Sequence, residues 1–323
     1  IAWIPVEQGV NGALTREQFE ALEVALEQAC DATGVPWRAA GDDIDAATLC
    51  LNCPVKVLLD PTTVAATTDL LARHPEKKPD GTAGPRDKGE RWAWTGQIFG
   101  TPAQAAYRGM SAVFLEPHTA WIFDGYPDTK SWSDFDGTRA GGFLTEAGLE
   151  VTVDDIPRNG EKAWRSRAGF GVDAGLIAIN SKGMSDEFNL EPGQCRPGEI
   201  PFLKVPSIVY MVHSWSAAAP QARATVAGRW LERGAYAMLG STYEPFLQAF
   251  VPTPNLVARL ASSYPWGAAV RPDNTAPVWK LATMGDPLIT LGPPAPRTDE
   301  ALPLRSAKDL ETVMRGALTE RKF

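Results

Sequence analysis

Two short segments hold the residues best suited to covalent chemistry. Asn180-Ser181-Lys182-Gly183 follows the apolar run Gly175–Ile179, and His213-Ser214-Trp215-Ser216-Ala217 follows Ser207–Val212. A serine hydroxyl beside a lysine amine is a nucleophile with its base, so Ser214 or Ser216 with Lys182 is one candidate hydrolytic pair. That lysine must first lose about three pKa units to act as a base near pH 7. The plainer expectation is that Ser214 and Ser216 satisfy backbone groups of a turn while Lys182 is solvated. His213 adjoins Ser214, but adjacent residues leaving a strand point to opposite faces, so a structural or hydrogen-bonding role is expected for it.

Other clusters carry weaker chemistry. Asp124, Asp128, Asp134 and Asp136 crowd one segment, which makes them calcium candidates. The third ligand of a D-x-D-x-D-G loop and its closing glutamate are missing, so turn formation and helix capping by Asp134 or Asp136 are expected instead. Cys50-Leu-Asn-Cys53 is a C-x-x-C, but Pro54 leads it into a strand-like run rather than the helix N-terminus that activates a redox thiol. With Cys30, Cys195, His74, His118 and His213 scattered, a four-ligand zinc site is not expected either. No metal or cofactor is expected, and Cys50 and Cys53 read as semi-buried thiols or a local disulfide.

Composition excludes some partners. The 323 residues carry 31 Lys+Arg against 39 Asp+Glu, a formal net charge of -8, with no basic cluster, so nucleic acid is not an expected ligand. No run of 18 apolar residues occurs, so no membrane span is expected. The 29 Gly and 27 Pro imply many fixed loops, and the 11 Trp imply large apolar anchors. Location is not read from the start at Ile1.

The elements that must position these residues alternate between helix and strand, as in α/β domains. Thr15 and Gln18 form a capping box for a helix over 16–31, with Phe19, Leu22 and Leu26 on one face. Val55–Leu59 reads as a strand, and Asp60-Pro61 as the start of a helix to Arg73. Residues 74–91, charged and rich in Pro and Gly, read as a loop of disorder-prone composition and a domain boundary. A strand at Trp92–Phe99 precedes a helix capped by Thr101 and Gln104, with Ala106, Met110, Val113 and Phe114 at helical spacing. Strands at Ala120–Phe123 and Leu149–Val153 flank a helix over 137–147. Gly175–Ile179, Ser207–Val212 and Ala235–Leu239 read as buried parallel strands, the last preceded by a helix between Pro220 and Gly234. The Pro-rich stretch 291–305 leads to a short amphipathic helix from Ser306 carrying Leu310, Val313, Met314 and Leu318. Such a helix is marginal in water unless its apolar face is covered, so this tail is a candidate docking arm for other protein subunits.

From about Gly175 to Leu288 the chain resembles the catalytic subdomain of caspase-like cysteine peptidases, most of all the gingipain branch and its bacterial relatives. The residues that carry the resemblance are Ser181-Lys182-Gly183, Ser214–Ala217, Arg233-Gly234-Ala235, Gly240-Ser241-Thr242, Glu244-Pro245-Phe246-Leu247 and Gly285-Asp286-Pro287, in that order. The resemblance implies an α/β, flavodoxin-like three-layer sandwich with a mostly parallel sheet, and an extracytoplasmic location. It implies a histidine at position 182 and a nucleophilic cysteine at position 215. Lys182 and Trp215 stand there instead, and a register shifted by two puts His213 at the cysteine position, still without a thiol. The expected protein is a pseudopeptidase acting as a binding or structural subunit. The competing classes are a hydrolase with a Ser-Lys site and a calcium-stabilised surface protein. The expected divisions are an N-terminal α/β segment (1–91), two halves of the caspase-like unit (92–165 and 166–290), and the tail (291–323).

Overall fold

The computed structural model describes residues 11–60, 62–84, 86–272 and 280–291. The helix expected from Ser306 lies outside them. Helix α1 (Arg16–Asp31) starts at the Thr15/Gln18 capping box and buries Phe19, Leu22 and Cys30. Strand β1 (Ala46–Leu49) follows. The helix expected from Pro61 is replaced by a hairpin of β2 (Lys56–Asp60) and β3 (Thr63–Ala66), and helix α2 is only Thr67–Leu71. The physical reason lies in Asp60, whose Oδ1 accepts from the backbone of Thr62 and of Thr63 and from the Thr62 hydroxyl. Its side chain closes a turn rather than capping a helix, and β-branched Thr63 and Val64 then favour a strand.

Residues 74–91 are not the disordered linker their composition suggests. Backbone bridges join Arg73 to Arg91 and Lys77 to Ala83, and Arg86 pairs with Glu23 of α1. Beside this loop, Asp69 of α2 is buried against Arg91 (2.6 Å) and Arg271 (3.5 Å), tying the N-terminal segment to the end of the chain's main body. Strand β1 pairs with β4 (Trp94–Gln97), so the main sheet runs across position 91.

The remaining elements are helix α3 (Pro102–Phe114), β5 (Thr119–Asp124), α4 (Gly137–Glu146), β6 (Glu150–Asp154), α5 (Glu161–Phe170) and β7 (Leu176–Asn180). Then come β8 (Lys182–Met184), β9 (Glu187–Asn189), β10 (Gln194–Cys195), β11 (Ser207–Val212), α6 (Val226–Arg233), β12 (Ala235–Ser241), α7 (Thr253–Ala261), α8 (Trp266–Ala269) and β13 (Leu281–Met284). The main sheet has eight strands in the order β1-β4-β13-β12-β11-β7-β5-β6. Its parallel block β6-β5-β7-β11-β12 has the flavodoxin-like order 2-1-3-4-5. Strand β13 runs antiparallel to β12 and begins a reversed block with β4 and β1.

Period-2 alternation divides the core into two layers. Trp121, Phe123, Ile177, Ile179, Val209 and Met211 face α5 and α6, which contribute Trp164, Val226 and Trp230. Ala120, Ile122, Leu176, Ala178, Ile208 and Tyr210 face α4, α7 and α8. The architecture is therefore the expected three-layer α/β sandwich. Helix α3 departs from its pattern. Its Thr101/Gln104 capping box is present, yet its buried residues are Arg108 and Ser111, while Met110, Val113 and Phe114 are exposed. Polar side chains set this orientation: Arg108 donates to the Phe99 carbonyl, and the Tyr107 hydroxyl to that of Gly234 (2.8 Å).

Candidate functional site at the carboxyl edge of the sheet

In an open parallel sheet, groups for chemistry collect on the loops after the carboxyl ends of the strands. Strands β7 and β11 pair through Val212 opposite Asn180, so the next residues out, Ser181 and His213, leave the sheet together. Ser181 Oγ lies 3.2 Å from His213 Nδ1 and 3.0 Å from the Val212 carbonyl, and its single proton serves one of these two acceptors at a time. His213 Nε2 lies 2.8 Å from the Met184 carbonyl. A carbonyl only accepts, so Nε2 carries the proton and Nδ1 presents its lone pair to the serine. Burial pushes the imidazole down to about 4, keeping it neutral.

Adjacency along the chain does not reveal this Ser-His contact, because its partners come from the ends of different strands. The signal was the pair of strand ends. Its position argues for a lock. Both side chains are buried, and Gly183 of β8 lies so close that a Cβ there would stand 2.9 Å from His213 Cε1. The small residue after position 182 is required by that approach, and the space beside the ring is filled by β8.

The Ser-Lys groups are separated. Lys182 is exposed, its ammonium 4.7 Å from the centre of the Tyr126 ring. Ser214 Oγ donates to Glu244 Oε1 (2.9 Å). Ser216 is buried, donates to the His213 carbonyl (3.3 Å) and accepts from the Ser241 backbone (3.0 Å). Each hydroxyl thus has a partner other than Lys182. Gly240 makes room for this turn, since a Cβ there would stand 2.7 Å from that of Ala217.

Trp215 stands at the position where the resemblance implies a thiol. Its φ is +59°, a left-handed conformation unusual for a bulky residue. Its N–H donates to the Tyr243 carbonyl (3.1 Å), and its half-buried ring lies 4.0 Å from the Tyr243 ring. Two other large aromatics, Phe188 and Trp266, are core residues.

The acidic segment builds something different. Asp124 ends β5 and is buried at the switch point between β5 and β7, where the strand order reverses direction. Its Oδ2 accepts from the Gly137 backbone (2.7 Å), and its Oδ1 from Asn180 Nδ2 (2.9 Å). Asn180 also donates to the Phe135 carbonyl (2.6 Å) and accepts from Thr253 Oγ1 (2.8 Å). Burial raises the Asp124 carboxyl to about 7 against these bonds. Exposed Asp128 is raised to about 6 by partial desolvation and then by Asp136 and Asp155. Asp136 caps α4 through the Arg139 N–H (2.8 Å), and Asp134 is exposed in a 3-10 turn. Among the described residues no three His, Cys, Asp or Glu side chains are placed to hold a metal ion.

The cysteines are free thiols, Cys50 exposed and the others buried. Burial pushes Cys53 up to about 11 and Cys195 up to about 12, away from the thiolate that chemistry needs. Compared with models of known protein families and with curated protein sequences, the chain matches none.

Proposed function

We propose that the chain is a caspase-like, gingipain-type protein whose peptidase site has decayed, serving as a binding or structural subunit of a larger protein assembly. The observation that carries this reading is Trp215, a left-handed residue with its ring tilted against that of Tyr243, at the position where the resemblance implies the nucleophilic cysteine. The flavodoxin-like block and the order of the short motifs support the family reading. The exposed Lys182 and the enclosed, neutral His213 support the loss of activity: one amine is solvated over an aromatic ring, and the one imidazole near the site is walled off by β8.

A fluorophosphonate probe tests this directly. The expected result is no covalent labelling of the folded protein. Labelling that disappears on Ser214→Ala, Ser216→Ala or Ser181→Ala would overturn the reading. The positive half, a subunit role, requires that gentle purification from the native source brings down a partner in fixed stoichiometry; a monomer eluting alone contradicts it.

A further inference from the structure

Strand β6 is the outermost strand on one side of the main sheet and pairs only with β5. The Glu150 N–H goes to the His118 carbonyl. Alternation along a parallel ladder therefore turns the backbone groups of Glu150, Thr152 and Asp154 toward β5 and those of Val151 and Val153 outward. Among the described residues no other backbone group bonds to this outer side. No lysine, proline or bulge blunts the strand, and such an edge is a template for another strand. Along one face of the edge runs a cleft of about 650 Å³ between β6 and α5, whose charged lining is Asp154, Arg158, Arg167, Asp173 and Lys204. Asp154 is committed there: it accepts from Arg167 Nε (3.0 Å), Arg167 Nη2 (3.0 Å) and the Trp121 indole N–H (2.9 Å). Arg158 and Lys204 are exposed and have no ion-pair partner among the described residues. Three cations thus face two carboxylates.

We propose that a second copy of the chain pairs with this edge, β6 against β6, antiparallel about a two-fold axis at Thr152. The strand is complementary to itself in that register. The outward groups of Val151 exchange hydrogen bonds with those of Val153 in the second copy, and those of Val153 with Val151, so all four outward residues are satisfied. On one face these valines, half-buried beside α4, meet their counterparts. On the other face each exposed Glu150 comes to the Asp154–Arg167 pair of the other copy, in the cleft that Arg158 lines. Opposed carboxylates would repel, but Asp154 is already held by Arg167, and the incoming Glu150 makes three carboxylates for three cations. A two-fold contact closes on itself, so assembly through this edge stops at the dimer. Strand β5 separates β6 from β7 and β11, so the pairing does not depend on whether the loops after those strands are catalytic.

The test uses the full chain. Light scattering at micromolar concentration is expected to give the mass of a dimer. Glu150→Arg, at an exposed position, should weaken that dimer about tenfold, and Arg158→Glu in the same chain should restore it. Val153→Pro removes an outward N–H, spares the ladder to β5 and should abolish the dimer. The register is read by cross-linking in a Cys50→Ser background, which lacks the exposed thiol. Directly opposed residues at a non-hydrogen-bonded position lie within disulfide reach, so Thr152→Cys should join two chains on mild oxidation and Glu150→Cys should not. A monomer at every concentration, a dimer indifferent to Glu150→Arg and Val153→Pro, or a cross-link through position 150 but not 152 overturns the proposal.

Discussion

At the ends of β5 and β7 a carboxyl group is buried with partners that leave it near neutrality, whereas at the ends of β7 and β11 an imidazole is buried with partners that leave it far below. Asp124 sits at about 7 and His213 at about 4, both mainly because burial disfavours the charged form. Neutral Asp124 and neutral His213 are thus the forms the fold prefers. The difference teaches where titration can matter. The switch point between β5 and β7, not the edge between β7 and β11, holds the group that changes charge near neutral pH. After β7 and β11, Ser216 is bound to backbone, Ser214 to the Glu244 carboxylate, and Lys182 is exposed.

The largest expected effects are two opposed pH dependences. The folded pKa of Asp124 is raised above its unfolded value near 4, so its contribution is full below pH 4 and is lost as pH rises through 7, by about 4 kcal/mol. The folded pKa of His213 is depressed below about 6.5, so its contribution is present above that pH and is lost as pH falls through 4, by about 3 kcal/mol. Urea midpoints measured from pH 4 to 7 should therefore rise with pH in Asp124→Asn and fall with pH in His213→Gln. Identical profiles for the two variants would erase the contrast.

Next comes Asn180→Ala, which strips a donor from Asp124 and from the Phe135 carbonyl and an acceptor from Thr253. A loss of about 2–3 kcal/mol in urea unfolding is expected, because buried groups are left unsatisfied. Gly183→Ala should cost about 1–3 kcal/mol, since β8 must move off the His213 ring; a neutral result would mean that the imidazole is not walled in. The smallest effects belong to Lys182 and Trp215. Lys182→Ala should change stability by less than about 1 kcal/mol, the scale of an exposed ammonium over a ring. Trp215→Gly should stay within about 1 kcal/mol as well, because relief of the left-handed strain offsets the lost Tyr243 contact. A large loss at either position would give these residues a structural weight that their surroundings do not show.

Much of the scaffold of this site was legible. The capping boxes at Thr15 and Thr101 start helices where expected, and the branched runs before Ser181 and His213 are buried strands. Asp60 is ambiguous in the sequence, because an aspartate before a proline can cap a helix or close a turn, and its Thr62 and Thr63 contacts decide for the turn. Asp124 and Asn180 were each visible, one as a carboxylate in an acidic segment and the other as a turn residue. Nothing local joined them, since their contact spans 56 residues.

By itself the sequence determined the alternation of elements, their caps and the apolar faces they carry, because these follow from rotational period and near-neighbour hydrogen bonds. Tertiary structure alone decided the reversal at β13, the enclosure of His213 behind β8, and the outward turn of α3. Those outcomes depend on pairings between distant segments. An apolar stripe states that a face is to be covered, but the Arg108 and Tyr107 hydrogen bonds fixed which way α3 turned, and with it which surface the protein leaves open for cover.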